Sequence, residues 1–208
     1  MDVRVEDART YYTQTKPTLY MVFGALWAQV VQKDDYEATC SRQKADIAFL
    51  EGNGSELREA AAETLNRQKA KLAATEGGLK ATDLAINILA GTVLQIAKQA
   101  ISIRHGADLS DCKLTGRPIS GSCVRDLIWL GRNQAMHYED TSEIKQPGVR
   151  KSGWVDLFKT LDTHHQGAFS LAPPFESRAM EIIQLLEWSR FDQYESDMRD
   201  LGINTGAN

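Results

Sequence analysis

The sequence is poor in the residues that staple or ligate. It has three cysteines in 208 residues, Cys40, Cys112 and Cys123, an odd number with no close pair. That excludes a disulfide framework and a thiolate metal site, and it fits a reducing compartment. Four histidines are present and none forms a pair at i, i+4 with a carboxylate beside it; His164 and His165 are adjacent, about 100° apart on a helix, and cannot both face one ion. No metal site and no cofactor is therefore expected. Five prolines, and no Gly, Ser or Pro tract, leave no linker and no internal repeat, so a single domain over residues 1–208 is the expectation. The opening MDVRVEDARTYYTQTK lacks the basic-then-apolar order of a secretory signal. Apolar runs are also short. Leu19 to Val31 is too brief for a bilayer, and Asn87, Gln95, Lys98 and Gln99 interrupt the longer run from Leu84 to Ile103, so the chain is expected to be cytoplasmic with no membrane partner.

No segment alternates as a strand, whereas helical spacing recurs throughout. Pro17 suits a first turn, with Leu19, Val22, Phe23, Leu26, Trp27 and Val30 following as a core stripe. A charged segment from about Asp35 to Leu50 continues or re-enters helix until Gly52, Asn53 and Gly54 break it, and Ser55 caps the next segment. Residues from Glu56 to about Thr75 read as a solvent-flanked helix stopped by Gly77 and Gly78. A central helix from about Lys80 to Arg104 is apolar nearly all round and reads as the most buried element.

From Gly106 to Gly121 the spacing is irregular, which makes this the main loop. Within it Gly116 to Ser122, GRPISGS, lacks the lysine and the preceding strand of a phosphate-binding loop. Ser120 or Ser122 can cap a helix running to Tyr138 or Asp140. Pro147 and Gly148 then interrupt, Ser152 caps a short helix to about His165, and Pro173–Pro174 precede a last helix to about Leu201. The reading is all-α, with five to seven helices and no sheet.

Net charge is −4, against a protein coated in nucleic-acid-binding charge, but it is unevenly spread. Residues 98–159 carry ten Lys and Arg against seven acids, a local +3 that leaves −7 on the remainder.

The segment from Cys123 to Asp140, CVRDLIWLGRNQAMHYED, carries the most chemistry. On a helix, Leu127, Ile128, Gly131, Ala135 and Tyr138 fall within about 60° of Val124 and form a core stripe. Arg132 lies about 80° away, Trp129 about 140°, Asp140 about 160°, Asn133 about 180° and His137 about 220°. Trp129 and Met136 thus share a second face with polar groups and need covering, which a symmetric partner helix can supply.

Arg132-Asn-Gln-Ala-Met-His137 resembles the R-X4-6-H motif of the HEPN superfamily, as does the polar Asn133 after the arginine and the motif's place late in a helix that follows a long core helix. The resemblance implies an all-helical HEPN-like bundle that dimerises through the motif helix and acts as a metal-independent endoribonuclease of the toxin or antiviral-effector kind. It implies RNA as the partner, with an antitoxin or regulatory protein as a further one. The 2′-hydroxyl of RNA can attack the adjacent phosphorus, so neither metal nor protein nucleophile is required. His137 would serve as general acid or base, Arg132 would bind non-bridging oxygens with its planar fork, and Asn133 would orient the imidazole or the phosphate. Arg125, Trp129 and Asp140 are the candidate substrate-binding residues. Two other classes of function remain open: a non-catalytic HEPN-like module that binds nucleotide or a protein, and a purely structural helical dimer.

Overall fold

The computed structural model describes residues 3–52, 60–139 and 153–203. Among them are six α-helices: α1 (Val3–Gly52), α2 (Ala60–His105), α3 (Val124–His137), α4 (Trp154–His164), α5 (Ala179–Leu185) and α6 (Phe191–Asp200). The all-helical expectation holds apart from a two-residue hairpin, β1 (Pro118–Ile119) with β2 (Ser122–Cys123), and a 3-10 turn at Leu109–Asp111. The expected breaks at Asn53 and Gly54, the Ser55 cap, the Pro147–Gly148 interruption and the Ser152 cap lie outside the described residues. The chain divides into two compact units, Leu26–Ile86 and the remainder, Met1–Ala25 with Asn87–Asn208.

The Leu26–Ile86 unit pairs the second part of α1 with the first part of α2. Residues 33, 36, 40, 43, 47 and 50 of α1 are all buried or half-buried, in alternating steps of three and four, the 3.5-residue period of a coiled-coil seam. Ion pairs mark the antiparallel register, Lys33 to Asp83 at 2.7 Å, Lys44 to Glu76 at 3.1 Å and Lys69 to Glu51 at 2.7 Å. Such exposed pairs contribute roughly 0–1 kcal/mol each, so the seam, not the charges, holds the hairpin. Gly77 and Gly78 do not stop a helix, contrary to expectation. A Cβ on Gly78 would stand 2.8 Å from Tyr36 Cζ, so glycine there admits the tyrosine ring and α2 runs through.

The larger unit corrects several boundaries. Pro17 is in the interior of α1, not its first turn. The helix extends back to Val3 because Ala8, Tyr12 and Leu19 are buried, and Tyr12 and Lys16 both donate to Glu195 of α6; this burial outweighs the ~3 kcal/mol that an interior proline costs. On α2, Ala90, Val93, Leu94, Ala97, Ala100 and Ile101 are buried, but Leu84 and Ile88 are exposed, so its burial is one-sided where the composition suggested all-round. By length and composition α2 could cross a membrane, and less than half of its apolar window is buried within the protein.

No serine side chain caps α3. Its N-cap is Cys123, and the orphan N–H groups of Val124 and Arg125 instead donate to the carbonyls of Arg117 at 3.2 Å and Thr115 at 3.1 Å. The hairpin that offers Arg117 turns on Ser120 (φ 46°) and Gly121 (φ 75°), two positive φ values as in a type I′ turn. Nor is the last helix continuous. It is two helices, separated at Glu187 (φ 57°) and Trp188, because the Trp188 indole is buried and donates to Asp197 Oδ2 at 2.8 Å.

Helix α3 lies among α2, α4 and α5. Gly131 permits close approach to α5, since a Cβ there would come within 3.0 Å of Ile182. Val124, Leu127, Ile128 and Gly131 of the expected stripe are buried, while Ala135 and Tyr138 are half-buried. Buried Gln134 was not anticipated. Its amide donates to the Glu176 carbonyl at 2.8 Å and its oxygen accepts from the Arg178 N–H at 2.9 Å, fixing the chain that enters α5.

Candidate functional site

Helices α2 and α3 run antiparallel, and their facing residues can be read in order. Lys98 Nζ stands 4.4 Å from the Trp129 ring centroid, Gln95 Oε1 accepts a short hydrogen bond from Arg132 Nε, and Gly91 faces Ala135. The face that α2 offers is legible with hindsight: Asn87, Gly91, Gln95 and Lys98 fall within an arc of about 80°. Along the sequence Asn87, Gln95 and Lys98 stand as interruptions of an apolar run. Their common stripe was the signal that a polar neighbour packs there.

The result is a small polar cluster around a half-buried guanidinium. Arg132 is held by Gln95 through Nε and by Asn133 Oδ1 through one terminal nitrogen at 3.2 Å. Both acceptors are neutral amides. They orient the fork without cancelling its charge, and among the described residues no other group bonds to it, which leaves part of the fork for a ligand. Lys98 is half-buried beside it. Burial lowers the lysine pKa from its ordinary value, and the neighbouring Arg132 charge lowers it further.

His137 is exposed in the last turn of α3. Among the described residues no hydrogen bond joins it to Arg132, in keeping with the roughly 140° between them on an ideal helix. Trp129 is only 6% exposed and is covered by Lys98 of its own chain. Burial within one chain thus covers Trp129, where its spacing predicts that a partner helix does so. Met136 of the same face is 55% exposed.

The other candidates lie apart. Arg125 stands two turns back, bonded to Asp126 at 2.7 Å and to the Cys112 carbonyl at 2.6 Å, where it ties the main loop to α3. Its hydrogen bond to Asp126 raises its pKa further. Asp140 lies outside the described residues. Among those described, no three His, Cys, Asp or Glu side chains gather as metal ligands, and burial pushes the Cys112 and Cys123 thiols up, away from nucleophilic thiolate. His164 is exposed as expected for a helix end, but His165 is half-buried and its Nε2 lies 2.8 Å from Ser120 Oγ.

No known protein-family model, curated protein or solved structure matches the chain.

Proposed function

We propose that the protein is a HEPN-like, metal-independent endoribonuclease of the cytoplasm, acting as a homodimer in the manner of a toxin or antiviral effector. The observation that carries the reading is the Arg132 guanidinium, bonded among the described residues to two neutral amides and to no carboxylate, on the same helix as an exposed His137 five residues on. In this reading the fork binds the non-bridging oxygens of the scissile phosphate and stabilises the charge that builds in the transition state. His137 takes the proton from the attacking 2′-hydroxyl or gives one to the departing 5′-oxygen, a role worth about 10²–10⁴-fold in rate. Asn133 fixes the guanidinium as well as lying near the imidazole's side of the helix.

A second copy supports this division of labour. One chain's Arg132 and His137 do not meet, whereas two motif helices related by a twofold axis bring two pairs to one groove. The exposed apolar side chains of Met136 and Ile88 supply surface for such an interface. The separation of the pair within one chain also favours a second reading, a non-catalytic module that binds nucleotide or a protein partner.

The deciding experiment is cleavage of total RNA with chelator present. The wild type should cut and leave 2′,3′-cyclic phosphate ends. His137→Ala and Arg132→Ala should each abolish cleavage at unchanged helicity, and Arg132→Lys should be nearly as damaging because an ammonium lacks the planar fork. A folded His137→Ala that cuts at the wild-type rate overturns the catalytic reading, and a wild type that binds but never cuts favours the module.

A further inference from the structure

Lys98 has no role in the reading above, yet it stands in an unusual place. Two cations from different helices meet at one place on the α2–α3 interface: Lys98 lies on Trp129, and one turn along both helices Arg132 bonds to Gln95, near enough that the Arg132 charge adds to burial in disfavouring the Lys98 ammonium. Among the described residues no carboxylate forms an ion pair with either one. At three other arginines this protein supplies an acid, Asp197 to Arg117, Asp126 to Arg125 and Glu181 to Arg178. At Arg132 it supplies Gln95 and Asn133 instead. Like charges held together cost folding free energy, and these two lie within residues 98–159, the stretch that carries a local +3 in a chain of net charge −4. An anionic ligand offsets that cost.

The Lys98 ammonium rests on the face of Trp129, a contact worth about 0.5–1 kcal/mol at exposed sites and about 2 kcal/mol when desolvated, as it is here. A charge-assisted hydrogen bond to a phosphate, about 1.5–3 kcal/mol, is of the size needed to offset it. We infer that Lys98 and Arg132 form a two-cation seat for the backbone of single-stranded nucleic acid, in which Lys98 leaves the Trp129 ring to bind a phosphate next to the one Arg132 holds. The vacated ring face then becomes a stacking surface for a base, a contact any base can make. This deepens the reading above, since it shares Arg132, but it assigns a substrate-binding residue on α2 that the motif does not contain, and it does not require cleavage.

The test uses a fluorescently labelled single-stranded 2′-deoxy oligonucleotide, which has no nucleophile and cannot be cut, with the full chain and anisotropy as a function of salt. One lost phosphate contact on a single strand lowers the salt slope by about 0.7, which corresponds to roughly fivefold weaker binding at 0.1 M salt, vanishing toward 1 M. Lys98→Met, whose stem can still cover Trp129, should show that loss, and Lys98→Arg should restore both affinity and slope. Lys98→Gln repeats the measurement if the methionine variant is destabilised. Wild-type affinity and slope in a folded Lys98→Met overturns the seat, as does a wild type that fails to bind. The two readings fail separately. Lys98-dependent binding without RNA cleavage sinks the nuclease and leaves the seat, whereas cleavage with Lys98-independent binding does the reverse.

Discussion

Asp197→Ala should be among the most damaging single substitutions in the larger unit. The Asp197 carboxylate is 1% exposed and accepts four hydrogen bonds: from Arg117 Nε at 2.9 Å and its terminal nitrogen at 3.3 Å, from the Trp188 indole at 2.8 Å and from Gln193 at 3.1 Å. Alanine removes all four acceptor contacts and leaves the Arg117 charge without its counterion. Breaking one side of a buried pair costs about 3–5 kcal/mol. The Arg117 side chain is 29% exposed and also donates to the Leu186 carbonyl at 2.6 Å, so water and a backbone oxygen soften the loss toward about 3 kcal/mol. A stranded Trp188 N–H adds about 1 kcal/mol or more. For a chain of this length each kcal/mol moves Tm by about 2–4 °C, giving a fall on the order of 10 °C. Urea titration and thermal melting by circular dichroism at pH 7 measure both quantities. Arg117→Met combined with Asp197→Leu should cost less than the two single changes together, because no charge is left buried. A loss under about 1 kcal/mol for Asp197→Ala, or strict additivity in the double variant, refutes the reasoning. Under the proposed nuclease reading, cleavage by the folded fraction should survive, since the pair holds the hairpin that starts α3 and Arg132 lies two turns further on.

Gln134→Leu keeps the volume but leaves the Glu176 carbonyl and the Arg178 N–H without their partner, and should lose about 2–4 kcal/mol in urea titration, as each unsatisfied buried group costs about 1–3 kcal/mol. Alkaline titration should reveal the tyrosines. Burial first, then the Glu195 charge and hydrogen bond, raise the Tyr12 pKa above its ordinary value, and burial raises that of Tyr194. A pKa raised in the folded state gives stability that is complete below the unfolded value near 10 and is lost as pH climbs from there toward the folded value. Urea titrations should therefore show stability falling above about pH 10, and less steeply in Tyr12→Phe; an equal slope in that variant counts against the assignment.

The sequence by itself determined the helical class and the core stripe of α3, because these rest on local periodicity, whereas the candidates Arg132, Asn133 and His137 rest on the resemblance of one short motif and belong to the proposal. Val124, Leu127 and Ile128 are buried for the reason their spacing gave. Local rules failed where a distant residue supplied the deciding energy. Pro17 and Gly78 read as punctuation, yet α1 and α2 run through them because Tyr12 reaches Glu195 and Tyr36 needs the space a Cβ would fill. The expected serine cap of α3 gave way to the carbonyls of Thr115 and Arg117. Only the tertiary structure could bring Gln95 and Lys98 of α2 to Arg132 and Trp129 of α3, since residues more than thirty positions apart meet through helix packing and not through any period in the chain. That packing decides whether Arg132 keeps its charge free, for it is the partner across the interface, an amide and not a carboxylate, that leaves part of the guanidinium fork available.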